Sequence, residues 1–196
     1  MKTDPVEIFR ECGGQLRMSE AIEHGITRYM LYSLRSKGII EQISRGVYRL
    51  VELPPVSNPD LITVALRYPN AIVCLLSALS FQITTQIPHE VSIAIPRDSH
   101  KPSLEYPPLL VHRFTGPSYQ AGIEEHQIDG VTVKIYSIEK TLADCFKFRN
   151  KIGMDVVLEA LKLYKVRKKV DYRKILVYAK ICRVDKIVRP YLEASI

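Results

Sequence analysis

Arg28, Tyr29, Tyr32, Ser33, Arg35, Ser36 and Lys37 fall within one ten-residue window, and Arg45 and Arg49 follow shortly after. These residue types suit duplex DNA. An arginine can pair with both acceptors on a guanine edge, a hydroxyl can serve several bases, and cations neutralise phosphates. From Thr27 to Leu50 the chain carries Arg28, Arg35, Lys37, Arg45 and Arg49 against Glu41, a net of 5 − 1 = +4. Arg28, Tyr29, Tyr32, Ser33 and Ser36 are therefore expected at base edges or nearby phosphates, with Thr27, Arg35 and Ser44 beside them. Lys37, Arg45 and Arg49 are expected on phosphates, which orient a protein without reading sequence. Arg45 is the sharpest of these assignments, because it sits next to Gly46 at the tip of a tight turn, where a core residue would be wasted. The competing reading takes the same charges as an ordinary solvated surface, or as a module that docks an acidic protein and binds no promoter.

Local signals say how these residues are held. Pro5 can start a helix carrying Val6, Ile8 and Phe9, and Gly13-Gly14 stops it. A second helix over about 18–24 turns Ala21 and Ile22 inward, is capped by Met18 or Ser19, and ends at Gly25. Thr27 is a good N-cap for a third helix, and Ile26 with Leu31 fits a hydrophobic staple across its start. Met30, Leu31 and Leu34 form its inward face, and Gly38 ends it. Residues 39–43 and 47–50 read as two strands joined by a three-residue loop, Ser44-Arg45-Gly46. Tyr48 on the second strand reads as a packing residue. Together these elements predict a winged helix-turn-helix over residues 1–52, a linker at 53–57 marked by Pro54-Pro55, and a separate domain over 58–196.

The second part predicts an α+β domain with a small, mostly antiparallel sheet and a helical tail. Asn58-Pro59 opens a helix with Leu61, Val64, Ala65 and Tyr68 on one face. Residues 72–81 read as a mostly apolar helix, 90–95 and 109–114 as strands, and 127–136 as a hairpin turning at Asp129-Gly130. Ser137, Asp155 and Asp171 are expected caps of three later helices, and Pro190 is expected near the start of a last one. The formal net charge is +7. Residues 147–189 carry 14 − 4 = +10 of charge, so the rest of the chain is acidic and the basicity is confined to two blocks. Lys165, Arg167, Lys168, Lys169, Arg173 and Lys174 in the second block offer a possible secondary basic surface for phosphates or an acidic partner.

Enzyme chemistry is not indicated. His24, His89, His100, His112 and His126 have no metalloprotease spacing, Ser77, Ser80 and Ser92 sit in no nucleophile elbow, and no phosphate-binding loop occurs. Glu139 and Lys140 are adjacent at a helix start, short of the paired carboxylates that hold a nuclease metal. Cys12, Cys74, Cys145 and Cys182 are far apart, which argues against zinc. Cys74 and Cys145 lie in apolar runs and read as buried thiols. No metal and no cofactor are expected. No apolar run reaches membrane-spanning length and no leader is evident, so a cytoplasmic protein is expected.

The run Gly25-Ile26-Thr27…Leu31…Leu34…Gly38…Ile43-Ser44-Arg45-Gly46-Val47-Tyr48-Arg49-Leu50 resembles the N-terminal winged helix of AbiEi-type antitoxins. These belong to the type IV toxin–antitoxin (abortive infection) systems of bacteria. The resemblance continues through Cys74-Leu75-Leu76-Ser77-Ala78-Leu79, Thr84-Thr85-Gln86-Ile87-Pro88-His89-Glu90-Val91, Ala94-Ile95-Pro96 and residues 136–144. Met18, where the family pattern would favour a hydroxyl residue, is a departure. The resemblance implies an autorepressor that binds inverted repeats in its own promoter as double-stranded DNA. It also implies an antitoxin whose C-terminal domain counters a nucleotidyltransferase-like toxin without a stable complex, and a place in phage defence.

Overall fold

Three short helices and three strands fold over residues 5–50 of the computed structural model, which describes residues 4–53, 57–84, 88–167 and 169–194. Helix α1 (Pro5–Glu11) is capped by Asp4, whose carboxylate accepts from Val6 N. Strand β1 (Gln15–Arg17) and helix α2 (Met18–Glu23) follow, then α3 (Arg28–Ser36), β2 (Ile40–Ser44) and β3 (Val47–Leu50). The strands form an antiparallel sheet in the order β1-β3-β2. Sequence patterning finds the β2–β3 hairpin but misses β1, three residues whose strand character comes from pairing with β3, from Gln15 with Arg49 to Arg17 with Val47.

The third helix is built as its residues dictate. Thr27 Oγ1 accepts from Met30 N at 3.2 Å, a cap worth about 1 kcal/mol. Ile26 and Leu31 are both buried beneath it and belong to the same small core as Phe9, Leu16, Ile40, Tyr48 and Leu50. Helices α2 and α3 end alike. Ile26 N donates to Ala21 O and Gly25 N to Ile22 O, while Ile39 N donates to Leu34 O and Gly38 N to Arg35 O. In both, a glycine occupies the left-handed position that this ending requires. Three local expectations are corrected. The residue capping α2 is Arg17, its backbone N–H satisfied by Glu20 Oε2 at 2.8 Å. Ile22 is 44 % exposed, not inward. The hairpin connection is two residues, Arg45-Gly46, and the extra residue is absorbed as a bulge between Gln42 and Ser44.

The chain divides into two compact units, residues 1–69 with 127–132, and residues 70–126 with 133–196. Helix α4 (Pro59–Arg67), which the sequence placed at the start of the second domain, falls in the first unit. Asp129 also belongs there, its carboxylate accepting from Ser57 N and Oγ at 2.8 and 2.9 Å. Pro54 and Pro55 of the expected linker lie outside the described residues.

The second unit is α+β. A five-stranded sheet runs β6 (Leu109–Phe114), β5 (Val91–Pro96), β4 (Ile72–Val73), β8 (Val131–Tyr136), β7 (Ile123–Ile128), all of it in this unit except the hairpin end at 127–132. β4 pairs antiparallel with β5, but β5–β6 and β4–β8 are parallel. The expected mostly antiparallel sheet is thus a mixed one. The error traces to residues 72–81, read as one helix. They form β4, then α5 (Leu75–Gln82), with Cys74 extended between them. A two-residue central strand is too short to show a period of two. Beyond β6 lies α6 (Gly116–Gln120), and after β8 come α7 (Ile138–Lys147), α8 (Arg149–Ile152), α9 (Met154–Lys165), α10 (Tyr172–Ile181) and α11 (Asp185–Glu193). Ser137 and Asp171 cap α7 and α10 as expected, whereas α9 is preceded by Gly153 with Asp155 inside its first turn, and Pro190 is interior to α11.

Helix α7 is the axis of this unit. Eight of its ten residues are buried, among them Lys140 and Asp144. Gly122 makes room for it, since a Cβ there would lie 2.6 Å from Lys140 Cβ, at φ +75°. Gly122→Ala should therefore destabilise the protein by about 2 kcal/mol or more, through left-handed strain plus overpacking, read as a lowered urea midpoint. Cys74, Cys145 and Cys182 are buried free thiols. Among the described residues no helix is long and apolar enough to cross a membrane.

Candidate nucleic-acid interface

A concave groove of about 710 Å³ opens on the first unit between α3 and the Arg45-Gly46 turn. Arg28, Tyr32 and Arg35 line it from α3, one helical turn apart. Arg17, Ser19 and Ile22 line it from the β1–α2 junction, Arg45 from the turn, and Arg67 from the end of α4. Among the described residues no Asp or Glu lines it. Five arginines thus line one depression, where each cation raises the local concentration of anions for the others.

The groove's shape follows from the pairings already described. Gly46 adopts φ +75° and its carbonyl accepts from Met18 N at 2.8 Å, which ties the turn to the start of α2. Tyr48 lies at the floor, 1 % exposed, with burial pushing its phenol above the usual range. Arg35 Nη1 donates to Gln42 Oε1 at 2.9 Å, so its guanidinium is presented in a fixed orientation. Arg17 Nε stands 3.7 Å from Glu20 Oε1 in a partly exposed pair, the one groove arginine with a carboxylate near it among the described residues.

The structure sorts the residues singled out in the sequence. Arg28, Tyr32, Arg35 and Arg45 are brought together in the groove. Tyr29 is 82 % exposed on α3 but does not line it, and Lys37 is exposed at the helix end. Thr27 and Ser36 have local work: Thr27 Oγ1 caps α3, and Ser36 Oγ donates to Ser33 O at 2.9 Å. The side chain of Ser44 lies outside the described residues. Arg49 is a correction. It is 3 % exposed and its guanidinium meets Glu41 Oε1 at 3.3 Å, so it is not placed to touch a phosphate. β3 is the central strand of its sheet, which the sequence did not reveal because β1 was not recognised. Arg49→Met should lower stability by about 1–2 kcal/mol in chemical denaturation while leaving the salt dependence of any DNA binding unchanged.

Arg17 and Arg67 were missed. Arg17 looked like the residue before a helix, and Arg67 lies on a helix assigned to another domain. In the second unit the possible basic surface is partly spent internally. Lys174 Nζ pairs with Glu139 Oε2 at 3.4 Å, and Arg167 Nη1 donates to Gln82 O at 3.2 Å. Lys165, Lys169 and Arg173 are exposed, and Lys168 lies outside the described residues.

Residues 5–51 match the family model for the transcriptional regulator AbiEi antitoxin. The AbiEi resemblance read from the residues holds over that segment, which runs from α1 through β3 and contains every groove arginine except Arg67. No curated protein matches the chain. Among solved structures, the fold is similar to the crystal structure of the RV2827C protein from Mycobacterium tuberculosis. The TM-score is 0.53 at 13 % identity, over 93 % of this chain and 76 % of that one. At this identity the likeness is one of fold.

Proposed function

We propose that this chain is a DNA-binding transcriptional regulator and the antitoxin of a type IV toxin–antitoxin pair. Residues 5–51, with the β2–β3 hairpin as wing, form its winged helix-turn-helix. The observation that carries the DNA-binding half is the groove: five arginines from four separate elements line it, with no carboxylate among the described lining residues. A core or a neutral docking face would not collect guanidinium groups in this way. The AbiEi match over the same segment supports the regulatory reading. In this reading α3 enters the major groove and Arg45 tracks the backbone, so the protein represses its own promoter at inverted repeats. The second unit counters a nucleotidyltransferase-like toxin in the cytoplasm, without a stable complex, and the chain itself is not an enzyme.

The test is fluorescence anisotropy with labelled duplex from the region upstream of its own coding sequence, against a shuffled duplex, across a salt series. Log affinity should fall with log salt at a slope of about −4 to −5 if each groove arginine neutralises one phosphate. Equal affinity for both duplexes would remove the regulator reading. Rescue of growth on co-expression with a nucleotidyltransferase-like protein encoded beside it tests the antitoxin half separately.

A further inference from the structure

A second basic concavity lies wholly within the second unit and shares no lining residue with the groove of the first. It spans about 770 Å³, is open to solvent, and is lined by Arg97 after β5, Thr115 and Ser118 at α6, Lys147 at the end of α7, and Cys182 and Arg183 at the end of α10. Its three cations are exposed and none forms a salt bridge among the described residues, none of the described lining residues is Asp or Glu, and Lys147 acts only at longer range on the buried Asp144. Lys147 Nζ stands 5.6 Å over the Phe114 ring, a contact that positions the ammonium without neutralising it.

The floor is polar and held in place. Ser118 is 5 % exposed with its Oγ 3.6 Å from Cys182 Sγ, and that thiol donates to Asp144 Oδ1 at 3.2 Å. Burial, with Asp144 beneath, pushes the Cys182 thiol up to about 11, so it stays neutral beside an anion. Asp144 in turn is paired with Lys140.

The backbone at Arg183 is the telling feature. α10 ends in the hydrogen-bond pattern already seen at α2 and α3, with Val184 N donating to Ala179 O. In those two helices the left-handed residue is glycine, but here it is Arg183 at φ +60°. A long β-substituted side chain at that position is strained, and glycine would relieve it. Backbone strain at a cation that lines this concavity points to a role for its guanidinium there.

We propose that this cavity binds a small phosphorylated ligand through its phosphate groups, with Arg97, Lys147 and Arg183 as the cationic clamp and the Thr115 and Ser118 hydroxyls beside them. Its volume suits a molecule of nucleotide size. The buried hydroxyl–thiol floor favours a ligand that enters over a nucleic-acid backbone passing across the surface.

Thermal unfolding of the full chain, with ATP, inorganic pyrophosphate or a single-stranded oligonucleotide at matched ionic strength, tests this. ATP or pyrophosphate should raise Tm for the wild type and equally for Arg45→Ala, which alters only the first unit. A response to both defines a phosphate site, and a response to ATP alone defines a site that also seats the nucleoside. Arg183→Gly should raise the ligand-free Tm while weakening the response more than about tenfold in ligand concentration, and Lys147→Met should weaken it without raising Tm. No response in the wild type would overturn the proposal, as would a response that survives both substitutions. Binding of the oligonucleotide alone, lost in Arg183→Gly, would overturn it in favour of a nucleic-acid surface.

Discussion

Lys140→Met is expected to cost about 3–5 kcal/mol of folding stability. Lys140 and Asp144 lie one turn apart on α7, both side chains fully buried, with Nζ 2.5 Å from Oδ2. The ammonium also stands 4.2 Å from the Tyr136 ring centre and 4.9 Å from that of Phe114, whose faces are the other stabilising surfaces within reach. Removing the lysine leaves a carboxyl in the core with the Cys182 thiol, at 3.2 Å from Oδ1, as its donor. Burial already holds the Asp144 carboxyl above the ordinary carboxylate range, and Lys140 is the first of the groups opposing that shift. Without Lys140 the group should keep its proton when folded and lose it when unfolded. The folded variant then binds more protons than the unfolded chain above about pH 4, so its stability falls as pH rises. Urea midpoints across pH 4–8 should therefore show the variant closest to wild type at the acid end. Lys140→Met/Asp144→Leu should recover most of the loss, because replacing both partners removes the stranded charge. A single variant within about 1 kcal/mol of wild type at neutral pH would show that the pair is not ionised in the fold.

What was readable in the sequence, and what was not, follows the range of the interactions. Thr27, Ile26, Leu31 and Gly38 specify α3 through contacts no more than five residues apart, and the structure has that helix as read. The Asp129-Gly130 turn is local too, and both residues take positive φ as the tight hairpin needs. Arg49 misled because its fate depends on β1, and nothing within Gln15–Arg17 announces a strand. Arg67 was overlooked because α4 belongs with residues far upstream. The four-residue spacing of Lys140 and Asp144 was visible, yet such a pair is usually solvated. Only the surrounding layers of β8, α5 and α10 decide that this one is buried.

If the proposed reading holds and Arg45 neutralises one phosphate without reading a base, Arg45→Ala should weaken promoter binding broadly and reduce the magnitude of the salt slope by about 1. Its guanidinium is exposed at a two-residue turn that a backbone hydrogen bond fixes to α2, so the substitution removes charge without disturbing the core. Arg28→Ala differs in kind. On α3 it faces the groove, and a bidentate contact to guanine is worth roughly 1–3 kcal/mol of discrimination. Its loss should narrow the gap between promoter and shuffled duplex as well as lower affinity. Arg67→Ala is the sharper comparison. It lies beyond the residues matched to the AbiEi family, on a helix that no local reading assigned to this surface. If the groove as a whole seats the backbone, Arg67→Ala should also reduce the magnitude of the salt slope by about 1 with specificity unchanged. If α3 and the turn act alone, it should leave both untouched, and the contact surface shrinks to the family-matched segment. Anisotropy titrations of the three variants at four or more salt concentrations separate these outcomes. An Arg45→Ala protein with wild-type affinity and slope would remove the turn from the interface altogether.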